Sequence, residues 1–290
     1  MSSYISASQV PRSVPEPQKF IPFLWNGPEF SLQHRIFPSE HELGQLIMDS
    51  FEISNSSGAT MSYPILPFGG LRTVFLFNRG LTRAELCGPT TLLKKLSLPP
   101  QSSVFCMRYL PGSMRYFSPL SACELAGQSQ PLSQYLSHSD NLSSAMRRGE
   151  SFHARNVLLV RTLCAGGAAH FQPFPLIGQS VGFISEHRGI VRVSQIAAEM
   201  GCSERYLNRM FQEHIGISAK LFCEQIQLQF SLYLIVATKL KVLTATAERC
   251  GYFDQTHMNR FFRKFLDCTA GDMRATRNDF INLQGAANLI

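Results

Sequence analysis

The sequence predicts an α+β fold in two unlike parts, a β-rich N-terminal half and an all-helical C-terminal half. Three observations carry this expectation. Runs dense in β-branched and aromatic residues, broken by Gly-Gly and Pro-Gly, crowd the stretch from residue 20 to about 125. Beyond about residue 175 those runs stop, and apolar residues recur at helical spacing. Within that helical half the chain writes nearly the same segment twice, GCSERYLNRMFQEH from Gly201 and GYFDQTHMNRFFRKF from Gly251.

Residues 1–18 carry several Ser and Pro and read as a flexible arm. They lack the basic-then-apolar pattern of a secretory signal, so a cytoplasmic location is expected. FIPFLW, PFGGLRTVFLFNRG and SVFCMRYLPGSMRYF read as strands separated by turns. From Leu120 to Cys164 the texture becomes helical with polar gaps, and CAGGAAHFQPFP then reads as a linker. The expected organisation is an arm at 1–18, a β-rich domain with trailing helices at 19–168, and a helical domain at 176–280.

A chain of 290 residues, 44% hydrophobic and 16% charged, has ample length for two cores. It has no run of eighteen apolar residues, which argues against a membrane span. None of the eight cysteines forms a Cys-x-x-Cys pair. They read as small buried hydrophobes, not as a zinc cage or disulfide framework. The eight histidines show no ligand spacing, so neither a metal nor a cofactor is expected. The net charge of +7 suits a polyanionic partner. Yet residues 1–180 hold 14 basic against 10 acidic side chains, and residues 181–290 hold 13 against 10. Charge alone does not select DNA; pattern must.

Shifted by 51, the two segments align Ser203 with Asp254, Leu207 with Met258, Asn208 with Asn259, Arg209 with Arg260, Phe211 with Phe262 and Ala219 with Ala270. Upstream the shift is 50, aligning Ala197 with Ala247 and Gly201 with Gly251, so the second copy has one extra residue in its turn. Repetition of this kind implies two copies of one supersecondary unit. In the first, Val193, Ile196, Ala197 and Met200 share a helical stripe. Gly201 can take the positive φ that ends this helix, and Ser203, like Asp254, can cap the next. Tyr206, Leu207, Met210 and Phe211 form the expected buried stripe of that second helix. Arg205, Asn208, Arg209 and Gln212 are left outward. In the second copy Met258, Phe261, Phe262 and Phe265 turn inward, and Thr256, Asn259, Arg260 and Arg263 outward.

This is helix-turn-helix geometry with a polar, basic outer face. Arg can pair with guanine, Asn or Gln with adenine, and Thr with either, in a major groove. Between the copies, KLFCEQIQLQFSLYLIVAT lacks Pro and Gly. Eighteen of its residues would make a helix of about 27 Å. Such a rod can hold two recognition helices about one DNA turn, near 34 Å, apart.

The arrangement over residues 176–278 resembles the AraC/XylS family of bacterial transcription regulators. VSQIAAEMGCSERYLNRMFQEHIGISAKLF is close to the family's first motif, and CGYFDQTHMNRFFRKF carries the Cys-Gly-aromatic, Asp-Gln, Asn-Arg and Phe-Arg-Lys positions of the second. The resemblance implies groove and backbone contacts by Arg205, Asn208 and Arg209 from one helix, and by Gln255, Thr256, Asn259 and Arg260 from the other. Gln255 enters through the resemblance alone. Arg209 and Arg260 are open to a second role, bridging within their own domain. The chain departs from the family pattern at Gln227, Ser231, Ala245, Thr246 and Ala270. LSLPPQSSVFCMRYLPGSMRYFSPLSACELAGQSQPL resembles, more weakly, a sensor-like domain of some members. That implies a β-rich, cupin-like domain for ligand sensing or self-association. Arg108, Tyr109, Arg115 and Tyr116 are the candidates to line a pocket for an anionic or aromatic molecule, with ordinary strand and turn roles as the alternative.

The reading these observations favour is a non-enzymatic, sequence-specific regulator. Its expected partners are double-stranded DNA, RNA polymerase, a small-molecule effector and a second copy of itself, with no membrane partner. A cupin-like enzyme and a protein-only interaction module stay open. The first wants a His/Glu cluster on adjacent strands, and residues 63–117 contain no His.

Overall fold

The computed structural model describes residues 24–25, 30–37, 41–78, 81–117, 121–136, 139–149, 151–237, 243–275 and 280–281. The expected arm at 1–18 lies outside the described residues. In chain order the N-terminal half holds strands β1 (Leu24–Trp25), β2 (Phe30–Ile36), β3 (Ile47–Asn55), β4 (Met61–Ile65), β5 (Arg72–Asn78), β6 (Leu81–Cys87), β7 (Lys94–Leu98) and β8 (Ser103–Tyr109). The short helix α1 (Met114–Phe117), strand β9 (Ser129–Pro131) and helices α2 (Ser139–Arg148) and α3 (Phe152–Ala165) follow. The fold is α+β, as the sequence predicts.

Six strands form one antiparallel sheet in the order β2-β3-β8-β5-β6-β9, and β4 pairs with β7 as a separate ribbon. Side chains alternate across a strand, so the sheet has two faces with different coverings. On one face Phe75, Phe105, Met107 and Tyr109 pack against Leu142 and Met146 of α2 and Leu159 and Leu163 of α3. Polar clips fix that helical layer: Ser50 Oγ donates to Asn156 Oδ1 at 2.5 Å, and Arg155 pairs with Glu52. On the other face Phe51, Ile53, Val104 and Cys106 meet Tyr63 and Leu98 of the ribbon. A cavity of about 240 Å³ lies between this second face and the ribbon.

The C-terminal half is helical: α4 (Pro175–Glu186), α5 (Val193–Glu199), α6 (Glu204–His214), α7 (Ala219–Ala237), α8 (Leu243–Arg249), α9 (Gln255–Leu266) and α10 (Ala270–Ala275). Strand β10 (Phe280–Ile281) then pairs with β1. The 19 residues of α7 span about 28 Å at 1.5 Å each. Its first half packs into one core with Ile184, Ile196, Leu207 and Phe211. Its second half packs into another with Ala247, Met258, Phe262 and Phe265. A helix apolar on most sides is one buried on most sides, and that places α7 between the two repeats.

The halves touch at defined points. Gln225 Nε2 of α7 donates to the Thr90 carbonyl at 2.8 Å, and Leu93 N donates to the Phe265 carbonyl at 2.8 Å. Arg115 pairs with Glu213 of α6 at 2.5 Å. Gly216 takes φ +90°, and a Cβ there would lie 2.5 Å from the Ala122 carbonyl oxygen, so the turn after α6 fits against the N-terminal half only as glycine. Among the described residues no helix is long and apolar enough to cross a membrane.

Candidate nucleic-acid interface

Both repeats are built by the same local chemistry. Ile196 and Ala197 of α5 are buried, as are Thr246 and Ala247 of α8, and the small Ala in each lets the next helix cross closely. Gly201 (φ +62°) and Gly251 (φ +73°) supply the left-handed turn residues. Ser203 Oγ then accepts from Tyr206 N at 3.2 Å, and Asp254 Oδ1 accepts from His257 N at 2.6 Å. Each satisfies a first-turn N–H that the helix itself cannot.

The inward row of α6 is Leu207, Met210, Phe211 and His214. Tyr206 is not part of it, against the expectation from spacing: it is 36% exposed, with the Arg209 guanidinium 5.0 Å over its ring. The 3.6-residue period carries the row from 207 through 210 and 211 to 214 and leaves 206 at the stripe's edge. In α9 the buried row is Met258, Phe262, Phe265 and Leu266. Phe261, half-buried, packs its ring 5.2 Å from Tyr252.

The outer faces carry Arg205, Arg209 and Gln212 on α6, and Thr256, Arg260 and Arg263 on α9, all exposed; Gln255 is half-buried. Among the described residues no carboxylate is ion-paired with any of these four arginines. Among the described residues neither Arg209 nor Arg260 forms an intradomain salt bridge. Both are exposed, Arg209 resting over the Tyr206 ring, and a guanidinium fork so exposed can pair bidentately with a base edge or phosphate.

The two asparagines are placed differently from the other outward residues. Asn208 Oδ1 accepts from Ala219 N at 3.2 Å while its Nδ2 donates to the Glu204 carbonyl at 3.1 Å. Asn259 Oδ1 accepts from Ala270 N at 3.1 Å. Each spans eleven residues and caps the start of the following helix, α7 or α10. The same clip recurs in both repeats.

Two of the residues singled out in α7, Gln227 and Ser231, bond with each other and with the second turn. Gln227 Nε2 donates to the Cys250 carbonyl at 2.7 Å, and the Ser231 hydroxyl, itself donating to the Gln227 carbonyl at 2.7 Å, lies 3.0 Å from Tyr252 Oη. These bonds tie α7 to the turn of the second repeat. Burial there pushes the Cys250 thiol up to about 12 and the Tyr252 phenol well above its ordinary value, so both stay neutral.

The four N-terminal candidates do not come together. Arg108 lines the cavity. Tyr109, next along β8, faces the helix-covered core, with its hydroxyl 3.0 Å from Thr73 Oγ1. Strand alternation forces that separation. Arg115 reaches Glu213, and Tyr116 Oη donates to the Leu163 carbonyl at 2.7 Å. The cavity instead brings Arg72 beside Arg108. The sequence signal for Arg72 is a single charge opening an otherwise uncharged, mostly apolar strand, RTVFLFN. Among the described residues no group of three His, Cys, Asp or Glu side chains is placed to hold a metal.

Comparison with known proteins reports on this same region. Residues 196–276 match the family model described as a helix-turn-helix domain. The HTH-type transcriptional activator RhaS of Escherichia coli O139:H28 (strain E24377A / ETEC) is 26% identical over 86 residues, which cover 30% of this chain and 31% of that protein. The chain thus aligns with under a third of that relative's length. The C-terminal domain of AraT, a response regulator from Geobacillus stearothermophilus, is 25% identical, covering 36% of this chain and 86% of that one with a TM-score of 0.34. ToxT from Vibrio cholerae O395 is 9% identical, covering 86% of this chain and 98% of its own, with a TM-score of 0.42. The duplicated turn geometry and the family match together identify residues 196–276 as a helix-turn-helix domain of the AraC/XylS type.

Proposed function

We propose that this chain is a sequence-specific transcription regulator that reads two adjacent major grooves with α6 and α9. The observation that carries this is the duplicated unit: two capped helices, each with unpaired exposed arginines, on either end of one buried rod about 28 Å long. Arg205, Arg209 and Gln212 contact DNA from α6, and Gln255, Thr256, Arg260 and Arg263 from α9. Asn208 and Asn259 act as positioning residues, because their side-chain carbonyls already hold the next helix. The β-rich half, residues 19–168, receives a signal, and its contacts with α6, α7 and α9 give that signal a route to residues 176–280. RNA polymerase, a small effector and a second copy of the chain are the further partners of this reading, the cytoplasm is its compartment, and no catalysis belongs to it.

Selection of bound DNA from a random pool with the full chain tests the proposal. One enriched motif spanning two successive turns is expected, with affinity falling steeply as salt rises. Arg209→Ala and Arg260→Ala should each weaken binding to that motif about tenfold or more, as the loss of a bidentate contact does. Stability should move by no more than about 0.5 kcal/mol. Unchanged affinity in both variants, with intact circular dichroism, would remove these arginines from the interface.

A further inference from the structure

Across strands β3, β8, β5 and β6 the cavity face carries one transverse row: Asp49 opposite Arg108, Arg108 opposite Arg72, Arg72 opposite Cys87. Two cations therefore stand directly opposed on adjacent strands, an arrangement that repels unless anions balance it. Only one is balanced. Arg108 Nε donates to Asp49 Oδ1 at 2.7 Å and Arg108 Nη2 pairs with Asp49 Oδ2, while His34 Nε2 approaches the same carboxylate at 2.8 Å.

Arg72 is 6% exposed, and among the described residues no carboxylate pairs with it. Its Nη2 donates to the Thr90 hydroxyl at 2.6 Å, and its buried Nε has no acceptor. The other acidic side chain at the cavity, Glu85, is taken by Arg83 at 2.5 Å. Neither neighbouring thiol supplies an anion, since burial pushes Cys106 up to about 12 and raises Cys87 as well. A buried guanidinium stays charged and demands a partner. The space in front of it is lined by Phe51, Ile53, Val74 and Leu96, with Lys94 and Lys95 exposed at its edge.

We propose that this cavity binds a compact apolar carboxylate, whose head group pairs with Arg72 and whose presence is passed to α7 through Thr90 and Gln225. A planar carboxylate matches the Nε/Nη fork. A volume of about 240 Å³ falls below the usual range of ligand pockets, roughly 300–1,000 Å³, and so selects a short body. The relay is short. The Thr90 hydroxyl bonds Arg72, its backbone exchanges hydrogen bonds with Phe68 at 3.0 and 2.9 Å, and its carbonyl accepts from Gln225 of α7. Beside it, a Cβ on Gly69 would lie 2.7 Å from the Phe222 ring, so the loop fits α7 closely. An acid that takes the Arg72 fork releases the Thr90 hydroxyl and loosens the loop that α7 leans on. The binding step stands on the cavity alone; its effect on DNA rests on the function proposed above.

Calorimetry on the full chain with benzoate and hexanoate, their neutral amides and hexyl phosphate tests the binding step without DNA. One or both acids should bind, with the amides at least tenfold weaker, and Arg72→Met should abolish acid binding while leaving the apo melting temperature equal or higher. No binding by either acid, equal binding of acid and amide, preference for the phosphate ester, or full binding by Arg72→Met would each overturn the site. For the relay, the bound acid should change affinity for the selected DNA at least threefold in the wild type, and Gln225→Leu should bind the acid yet lose that change. A Gln225→Leu variant that responds like the wild type would overturn the relay. Failure to select any DNA would strike the function proposed above and leave the calorimetric result standing.

Discussion

The two helix-turn-helix repeats share their skeleton and differ in what surrounds it. Both have a buried Ala in the first helix, a left-handed Gly, a side-chain cap and an Asn clip to the next helix. The first repeat is held by the β-rich half at the end of α6, through Glu213 and the Gly216 turn. The second is held mainly by α7, through Gln227 and Ser231, and carries Phe253, 92% exposed, in its turn, where the first has the half-buried Cys202. The shared features are those a recognition helix needs to be presented. The divergent ones are those that attach each unit to a different neighbour. Local sequence thus encodes the unit, and tertiary contact encodes its circumstances.

Three pairs of substitutions test this division. Leu207→Ala and Phe262→Ala each empty a fully buried site, and losses of about 2–5 and 3–5 kcal/mol are expected in denaturant titrations. If the cores of the repeats are separate, each loss should be accompanied by faster amide exchange in its own repeat first. Gly201→Ala and Gly251→Ala should part company next. Both meet the left-handed penalty of about 1–2 kcal/mol. Only at Gly251 would the new Cβ also meet Ile190 Cγ2, at 2.6 Å, whereas Gly201 has open space. Melting temperatures should fall further for Gly251→Ala; equal falls would mean Ile190 yields freely. Asn208→Ala and Asn259→Ala should cost the least, about 1 kcal/mol each, as lost caps do. Their binding losses should be uniform across DNA sequences. A loss confined to one base position would make the asparagine a reader of bases instead.

Much of the helical half was legible because its determinants are local. Gly201, Ser203, Gly251 and Asp254 announce turn and cap within four residues, and the shift of 51 exposes the duplication. What helical spacing misplaced is the edge of a stripe, Tyr206; His214, which the spacing left unassigned, is buried because neighbours outside α6 cover it, among them Phe174, whose ring stacks 4.9 Å from it. The Asn clip left a trace, since Asn208 and Ala219 align with Asn259 and Ala270, but the trace does not say that a side chain bonds an N–H eleven residues on. The β-rich half gave its texture and little of its site. Asp49, Arg108 and Arg72 become neighbours only once the strand order β3-β8-β5 is known, and nothing in the spacing of 49, 72 and 108 suggests it.

The Asn clips have a mechanical consequence. Asn208 ties α6 to the start of α7 and Asn259 ties α9 to the start of α10, each through one hydrogen bond, so each outward helix turns with its successor, and α7 sets the distance between the two units. Every residue added to α7 would rotate the downstream unit by about 100° and push it about 1.5 Å further away. If α6 and α9 enter adjacent grooves as proposed, a rod of fixed length should tolerate no extra base pair between the two contacted segments.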